Sequence, residues 1–403
     1  MKNHKTLKEM KKIVKQFMML MAVTTLSLGM ASCGDDNEDN GGSSNGSTNS
    51  STKETELAAV NTNYVDNTIV ATYKKLANDC EQLLRLSENI NSQESVNAIC
   101  EQWKVARQDW ELSEAFLFGA ASGYGIDPHI DTWPFDVISF TKTMAKFDPS
   151  VSEEDAATVA HLIATTQNFT GFHAMEYVIF RDGKERNFAD LDADDKFFVK
   201  AVAADLYLSA CRLEVAWAGT AADKEHVALL EEAELMPDDD FGTEFRNAGQ
   251  RGSRWASALD ASVQIIDGCI DIIGEVADSK IGSAYTGDDV TYIESPHAYN
   301  SIQDFYDNIR GVKQALYGGL TTIDATVPAK NSIMEYCQTN YPTEAKAAMT
   351  ALENALSTIN KMKRPFVLNY SDPTAGAAIE SLHALDEALS ALKVKLDPNQ
   401  TTK

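Results

Sequence analysis

Basic residues are scarce in this 403-residue chain: 35 Lys and Arg stand against 60 Asp and Glu, a formal net charge of −25 at pH 7. A surface this acidic repels phosphate backbones and anionic headgroups, which argues against a nucleic-acid binder and leaves cations or basic partners as the complementary chemistry. Proline is also sparse, at 10 residues, and aromatics make up only 8%. With so few helix breakers, the long Ala-, Glu-, Lys- and Leu-rich stretches favour helix. No segment alternates with period two for long enough to form a strand, and no short fixed repeat is visible, which argues against a solenoid. C-x-x-C, H-E-x-x-H and H-x-x-E-H are all missing. Their absence removes the thioredoxin-type redox pair, the cysteine-rich zinc module and the two commonest zinc-protease patterns.

What is present begins with an export signal. Lys2, Lys5, Lys8, Lys11, Lys12 and Lys15 form a positive segment ahead of an apolar run from Phe17 to Met30, and Ala31 and Ser32 then precede Cys33. A small pair directly before a cysteine resembles the lipobox of bacterial lipoproteins, with Met30 where that pattern usually has Leu. Residues 1–32 are thus expected to be a lipoprotein signal peptide and Cys33 the lipidated first residue of the mature chain; the alternative is an ordinary signal peptide with a coincidental cysteine. Gly34, Asp35 and Asp36 resemble the acidic start of surface-directed lipoproteins of the Bacteroidetes group. The expected location is a membrane anchored at Cys33, on the outer-membrane, cell-surface or periplasmic face. Removing six Lys and one Glu with residues 1–32 leaves 29 basic and 59 acidic residues, a net of −30. Asn37 to Lys53 holds no apolar residue and has a root-mean-square span of roughly 20–25 Å, so residues 33–54 are expected to be a flexible tether.

Beyond the tether, apolar residues recur at helical spacing. The pattern predicts an all-α chain with helices over Glu56–Asn89, Glu94–Phe118, Ser152–Phe180, Asp194–Trp217, Ala222–Leu235, Ser253–Asp278, Ser301–Thr322, Ala329–Lys361 and Thr374–Leu396. Pro237 and the acids Asp238–Asp240 divide them into two packed helical bundles, residues 55–236 and 237–403. Two connections, Gly119 to about Val151 and Lys280 to Asn300, are too long for simple bundle turns, and their aromatic content favours order and function. Cys80 and Cys100 lie about equally far from a turn near Ile90 and could pair across antiparallel helices; two buried thiols are the equal alternative.

The most informative segment is Thr165–Arg181. Its inward seam runs Val159, Ile163, Thr166, Thr170, His173, Tyr177 and Phe180, so His173 points to the core and Glu176, three residues on, lies beside it. Gly171 one turn earlier weakens the helix, a loss explained if another backbone approaches closely. A buried imidazole and carboxylate need partners. Either they satisfy each other locally, or both face a cavity with a metal ion or ligand as third party.

The string GFHAMEY, Gly171 to Tyr177, resembles the G-x-H-x-x-E signature of the imelysin family, which includes insulin-cleaving membrane protease relatives and iron-regulated proteins. ARQDWELSEAFLFG (Ala106–Gly119) with DPHIDTWPFD (Asp127–Asp136), NAGQRGSRW (Asn247–Trp255) with IIDGCIDIIGEVADSKIG (Ile265–Gly282), and ESPHAYNSIQDFYDNIRGVKQALYGG (Glu294–Gly319) are similar to further blocks of that family in the same order. The resemblance implies a two-domain helical fold with His173 and Glu176 at an interdomain cleft. Candidate lining residues are Trp110, Glu114, Asp131, Trp133, Gly171, Glu294, Ser295, Asp304 and Arg310. Arg310 is the expected counter-ion for Glu176 or Asp131, or else an exposed arginine; Glu114 is either compensated or solvated; Trp110 and Trp133 are read first as packing anchors; and Ser301 with Asp304 has the S-x-x-D form of a helix cap.

The expected function is binding of a metal ion or small ligand, with iron or haem as the candidates, around His173 and Glu176. The second reading is an imelysin-type metallopeptidase in which His173 and Glu176 are catalytic, with iron or zinc as the divalent metal and a third ligand from His129, Asp131, Glu294 or His297. A peptide would then be the partner. A surface scaffold for protein interactions is the third. Glu294-x-x-His297 and Glu380-x-x-His383 also suggest a di-iron bundle, although Pro296 interrupts the first.

Overall fold

The computed structural model describes residues 47–144 and 169–399, and among these the chain is helical apart from one two-residue hairpin. The export signal, Cys33, the first part of the tether and the seam positions Val159, Ile163 and Thr166 lie outside the described residues. Helix α1, Ser47–Tyr64, runs through a single π-turn at Val65–Ile69 into α2, Val70–Ser87. Its start falls inside the stretch expected to be a tether. Polar contacts to distant parts of the chain hold this end where apolar burial cannot: Lys53 donates to the Leu396 carbonyl at 2.6 Å, and the Ala258 N–H donates to Glu54 at 2.8 Å.

Helix α3, Gln93–Glu111, opens on a capping box in which the Ser92 hydroxyl accepts from the Ser95 N–H and Ser95 returns the contact. It stops at Glu111, earlier than apolar periodicity suggested, and a 3-10 turn at Glu114–Phe116 follows. Helix α4, Gly171–Ile179, carries the His173 motif. Helix α5, Ala193–Ala218, starts at Asp192, whose side chain accepts from the Asp195 N–H, and is buried on almost every side from Phe198 onward. Its alanines at 201, 203, 204, 210 and 216 let α2 and α4 pack directly on it. Between α4 and α5, Phe180–Arg181 pairs antiparallel with Lys184–Glu185, and the Gly183 N–H reaches the His297 carbonyl at 2.9 Å.

The second group of helices comprises α6 (Ala258–Gly274), α7 (Ser301–Tyr317), α8 (Pro342–Asn360) and α9 (Pro373–Leu396). Leu382, Leu385, Leu389, Leu392 and Leu396 repeat every three or four residues along α9 and bury fully against α6 and α8. The single helix expected over Ala329–Lys361 divides at Pro342, whose ring cannot donate the N–H that a continuous helix needs. Conversely, helix persists where a loop was expected: α6 continues through a π-turn at Glu275–Ile281 and a short helix to Thr286, so only residues 287–300 are irregular. The Gly119 connection is likewise built from short helices at Ala120–Gly123, Asp127–Ile130 and Val137–Met144.

Helix α1 packs on α6, while α2 packs on α5 and α3. One long helix thus joins the two groups. All five described cysteines, including Cys80 and Cys100, are buried free thiols, so the bridging alternative is not formed.

Candidate functional site

The C-terminal half of α3, the Asp131 loop, the start of α4, the π-turn and residues 294–308 converge on one polar cluster inside the protein. Arg107 is its centre. Its side chain is fully buried and contacts Asp131, Glu111 and, at 2.8 Å, Glu294 Oε1. Lys280, also buried, lies 2.8 Å from Glu114 Oε2, 3.0 Å from Glu294 Oε1 and 3.7 Å from Glu111 Oε2. The Asn308 amide donates to Glu111 at 2.5 Å and to Glu114 at 3.0 Å.

His173 is enclosed completely. Its Nε2 lies 3.1 Å from Asp131 Oδ1 and its Nδ1 3.5 Å from Glu176 Oε2. Glu176 is held in turn by the backbone N–H groups of His297 and Ala298, both donating to Oε1 at 2.8 Å. Trp110 donates its indole N–H to Asp131 Oδ2 at 2.7 Å, and the Trp133 ring lies on the imidazole with centroids 4.5 Å apart. Thr170, just ahead of α4, donates to Asp205, which also contacts His129 at 2.8 Å. That bridge ties the segment carrying Asp131 to the helix carrying His173.

Among the described residues, six carboxyls, those of Glu111, Glu114, Asp131, Glu176, Glu294 and Asp304, share this interior with three basic groups, Arg107, Lys280 and His173. The electrostatics follow that imbalance. Burial alone would raise the Asp131 carboxyl, but Arg107, His173 and Lys280 outweigh it and hold it well below the usual carboxylate range. Burial and Arg107 disfavour the imidazolium of His173, yet Asp131 and Glu176 more than offset them, so its pKa rises above the ordinary 6.5. Burial pushes Glu111 and Glu114 well up despite Arg107 and Lys280, and pushes Asp304 up to about 7. The three carboxyls in excess of the basic groups can therefore be balanced by protons or by an added cation.

Two overlapping sets of ligand atoms lie within 4.8 Å of one another: Asp131, His173 and Glu294 in one, and Glu111, Glu114, Asp131 and Glu294 in the other. Glu294 Oε2 is buried without a hydrogen-bond partner, and Ser295 beside it stands on a backbone with φ of +43°. Asp131, Glu294, Glu114 and Lys280 also line a cavity of about 270 Å³ that runs outward past Trp133 and Tyr292.

Most residues expected at the cleft are here: Trp110, Glu114, Asp131, Trp133, Gly171, His173, Glu176, Glu294, Ser295 and Asp304. Glu114 is buried and paired, and the two tryptophans touch the polar groups as well as packing. Arg310 is not here. It pairs with Asp307 at 2.9 Å and with exposed Asp324 at 3.3 Å, because its place on α7 faces the rim of the cluster, and Arg107 is the counter-ion instead. Ser301 and Asp304 do not form the expected cap: Asn300 holds the N-cap position, Ser301 donates to the Glu294 carbonyl at 2.5 Å, and Asn300 donates to Asp304 at 2.7 Å. Gly171 begins α4 at φ +82° and does not interrupt it. Of the other possible third ligands, His129 is turned to Asp205 and His297 contributes its backbone N–H. Glu380 and His383 are exposed, with His383 paired to Asp278, which removes the di-iron arrangement. Arg107, Glu111, Lys280 and Asn308 were not anticipated.

The imelysin family model matches residues 69–392. Among characterised sequences, the chain is 24% identical over 330 residues to iron-regulated protein A of Synechococcus elongatus, covering 81% of this chain and 82% of that protein. A protein of Parabacteroides distasonis described as an iron-regulated protein A precursor shares the fold with a TM-score of 0.71 and 22% identity, over 85% of this chain and 95% of its own. An imelysin-like protein of Psychrobacter arcticum superposes with a TM-score of 0.50 and 16% identity, over 86% and 93%.

Proposed function

The chain belongs to the imelysin family, and from that premise we propose that it is an exported, lipid-anchored protein that binds a metal cation through Asp131, His173 and Glu294 without cleaving peptides. The observation that carries this reading is the surplus of buried carboxyls around a histidine and two acids whose ligand atoms are mutually within 4.8 Å, with Glu294 Oε2 left unpartnered. Leaving buried carboxylates uncompensated costs several kcal/mol, and a divalent cation removes that cost by displacing protons from the cluster. A nitrogen and two carboxylate ligands suit iron(II) or zinc, and the name of the cyanobacterial relative favours iron. Glu176 fixes the imidazole from its far side, the supporting role that carboxylates commonly play behind a ligating histidine.

Binding is favoured over peptidase activity by access. His173 is fully enclosed, and the nearby cavity that the described residues form, about 270 Å³, is at the small end for an organic ligand and smaller than a peptide substrate requires. Membrane attachment at Cys33 rests on the sequence of residues 1–33.

The test is metal analysis and calorimetry on the purified chain. Iron(II) or zinc is expected to bind with one ion per chain and to release protons, and His173→Ala is expected to weaken binding by about tenfold to a hundredfold or more, since even supporting residues of metal sites are worth that much. Unchanged affinity in that variant, or no uptake of either metal, rejects the reading.

A further inference from the structure

The cavity outside the His173 trio has chemistry of its own. Its wall carries the carboxyls of Glu114, Asp127, Asp131, Glu275 and Glu294 and a single basic group, Lys280. Trp133 and Tyr292 form an aromatic corner of the same wall, edge to face with centroids 6.4 Å apart. The π-turn at Glu275–Ile281 brings two of these groups to one side: Glu275 stands at its first position and Lys280 one turn later. Such turns are frequent at functional sites.

The polar atoms on this wall are incompletely used. Lys280 already spends its ammonium on Glu114 and Glu294 Oε1, whereas Glu294 Oε2 is buried and unpartnered. Burial, with Asp131 and Glu275 nearby, pushes the Asp127 carboxyl up to about 6, which marks the space as one where negative charge is crowded. An anion is repelled from such a space, and a neutral ligand leaves the carboxylates uncompensated. A bare metal ion uses neither the aromatic corner nor most of the volume. An organic ammonium or guanidinium group uses both, through charge-assisted hydrogen bonds to the acids and the faces of the two rings.

We propose that this cavity is a binding site for a small organic cation carrying a primary amine or guanidinium group, seated between the Glu275 and Glu294 carboxylates and against Trp133 and Tyr292. The site is separate from the metal reading in its outer half, formed by Asp127, Glu275 and Tyr292, and shares Asp131 and Glu294 with it at the inner end. A ligand there closes the outward path from the His173 trio, so the two sites are coupled.

The experiment is calorimetric titration of the metal-free chain with 1,4-diaminobutane, with 1,4-butanediol as the uncharged control and magnesium chloride as the inorganic one. The diamine is expected to bind at one per chain, and the diol not at all. Glu275→Gln and Tyr292→Leu, at exposed and half-buried positions whose folding can be checked by thermal unfolding, are each expected to weaken it about tenfold. His173→Ala is expected to keep diamine binding while weakening metal binding, so that the two readings fail separately. The proposal is overturned if the diamine gives no saturable heat, if magnesium alone gives an equal heat that both outer-wall variants weaken equally, or if both outer-wall variants bind the diamine as the unaltered chain does.

Discussion

Replacing Arg107 with Leu is expected to destabilise the folded protein by about 3–5 kcal/mol, the cost of removing one partner from a buried ion network and stranding the others. Arg107 touches Asp131, Glu111 and Glu294 at once, with His173 Nε2 at 3.5 Å, and its side chain has no exposure. Chemical unfolding monitored by circular dichroism measures the loss. A variant that also carries Glu111→Gln and Asp131→Asn is expected to recover part of it, because fewer carboxylates are then left without a counter-ion. If the single replacement unfolds at the unaltered denaturant midpoint, Arg107 is not the keystone described here.

The second large effect is expected from the smallest change, Gly171→Ala. At φ +82° an alanine is strained, and its Cβ falls 2.0 Å from the Ile130 carbonyl oxygen, a distance no packed structure tolerates. Backbone strain of about 1–3 kcal/mol adds to a similar overpacking cost. Relief requires moving Ile130, with its neighbour Asp131, or the start of α4, and either shift separates Asp131 from His173. Stability and metal affinity are therefore expected to fall together, whereas a change that only weakened α4 would leave affinity intact in the folded fraction. Paired unfolding and metal titrations distinguish the two.

Helical period was enough to place His173 inward and Glu176 beside it, because both follow from a spacing of three residues on one helix. The close approach at Gly171 was also legible, though its position at the helix start was not, since the contact is made by Ile130, 41 positions earlier in the chain. Arg107 was missed even though a signal was available: it lies on the inward stripe Trp103, Ala106, Arg107, Trp110, Glu111, Glu114, where charged residues interrupt a buried apolar face. Lys280 was harder. Its inward direction depends on a π-turn, and an α-helical period carried through Glu275–Ile281 assigns side chains to the wrong sides. Arg310 misled because an arginine near a motif is a natural counter-ion, and only the packing of α7 shows that Asp307 and Asp324 hold it.

The uninterrupted span from Ser47 to Ser87 constrains how anything can enter. At about 1.5 Å per residue it is a rod roughly 60 Å long, clamped to α6 at one end and to α5 at the other. A clamshell opening of the two halves would have to bend that rod, so a cation held as proposed is expected to exchange through small displacements of the irregular stretch 287–300, which carries Tyr292 and Glu294.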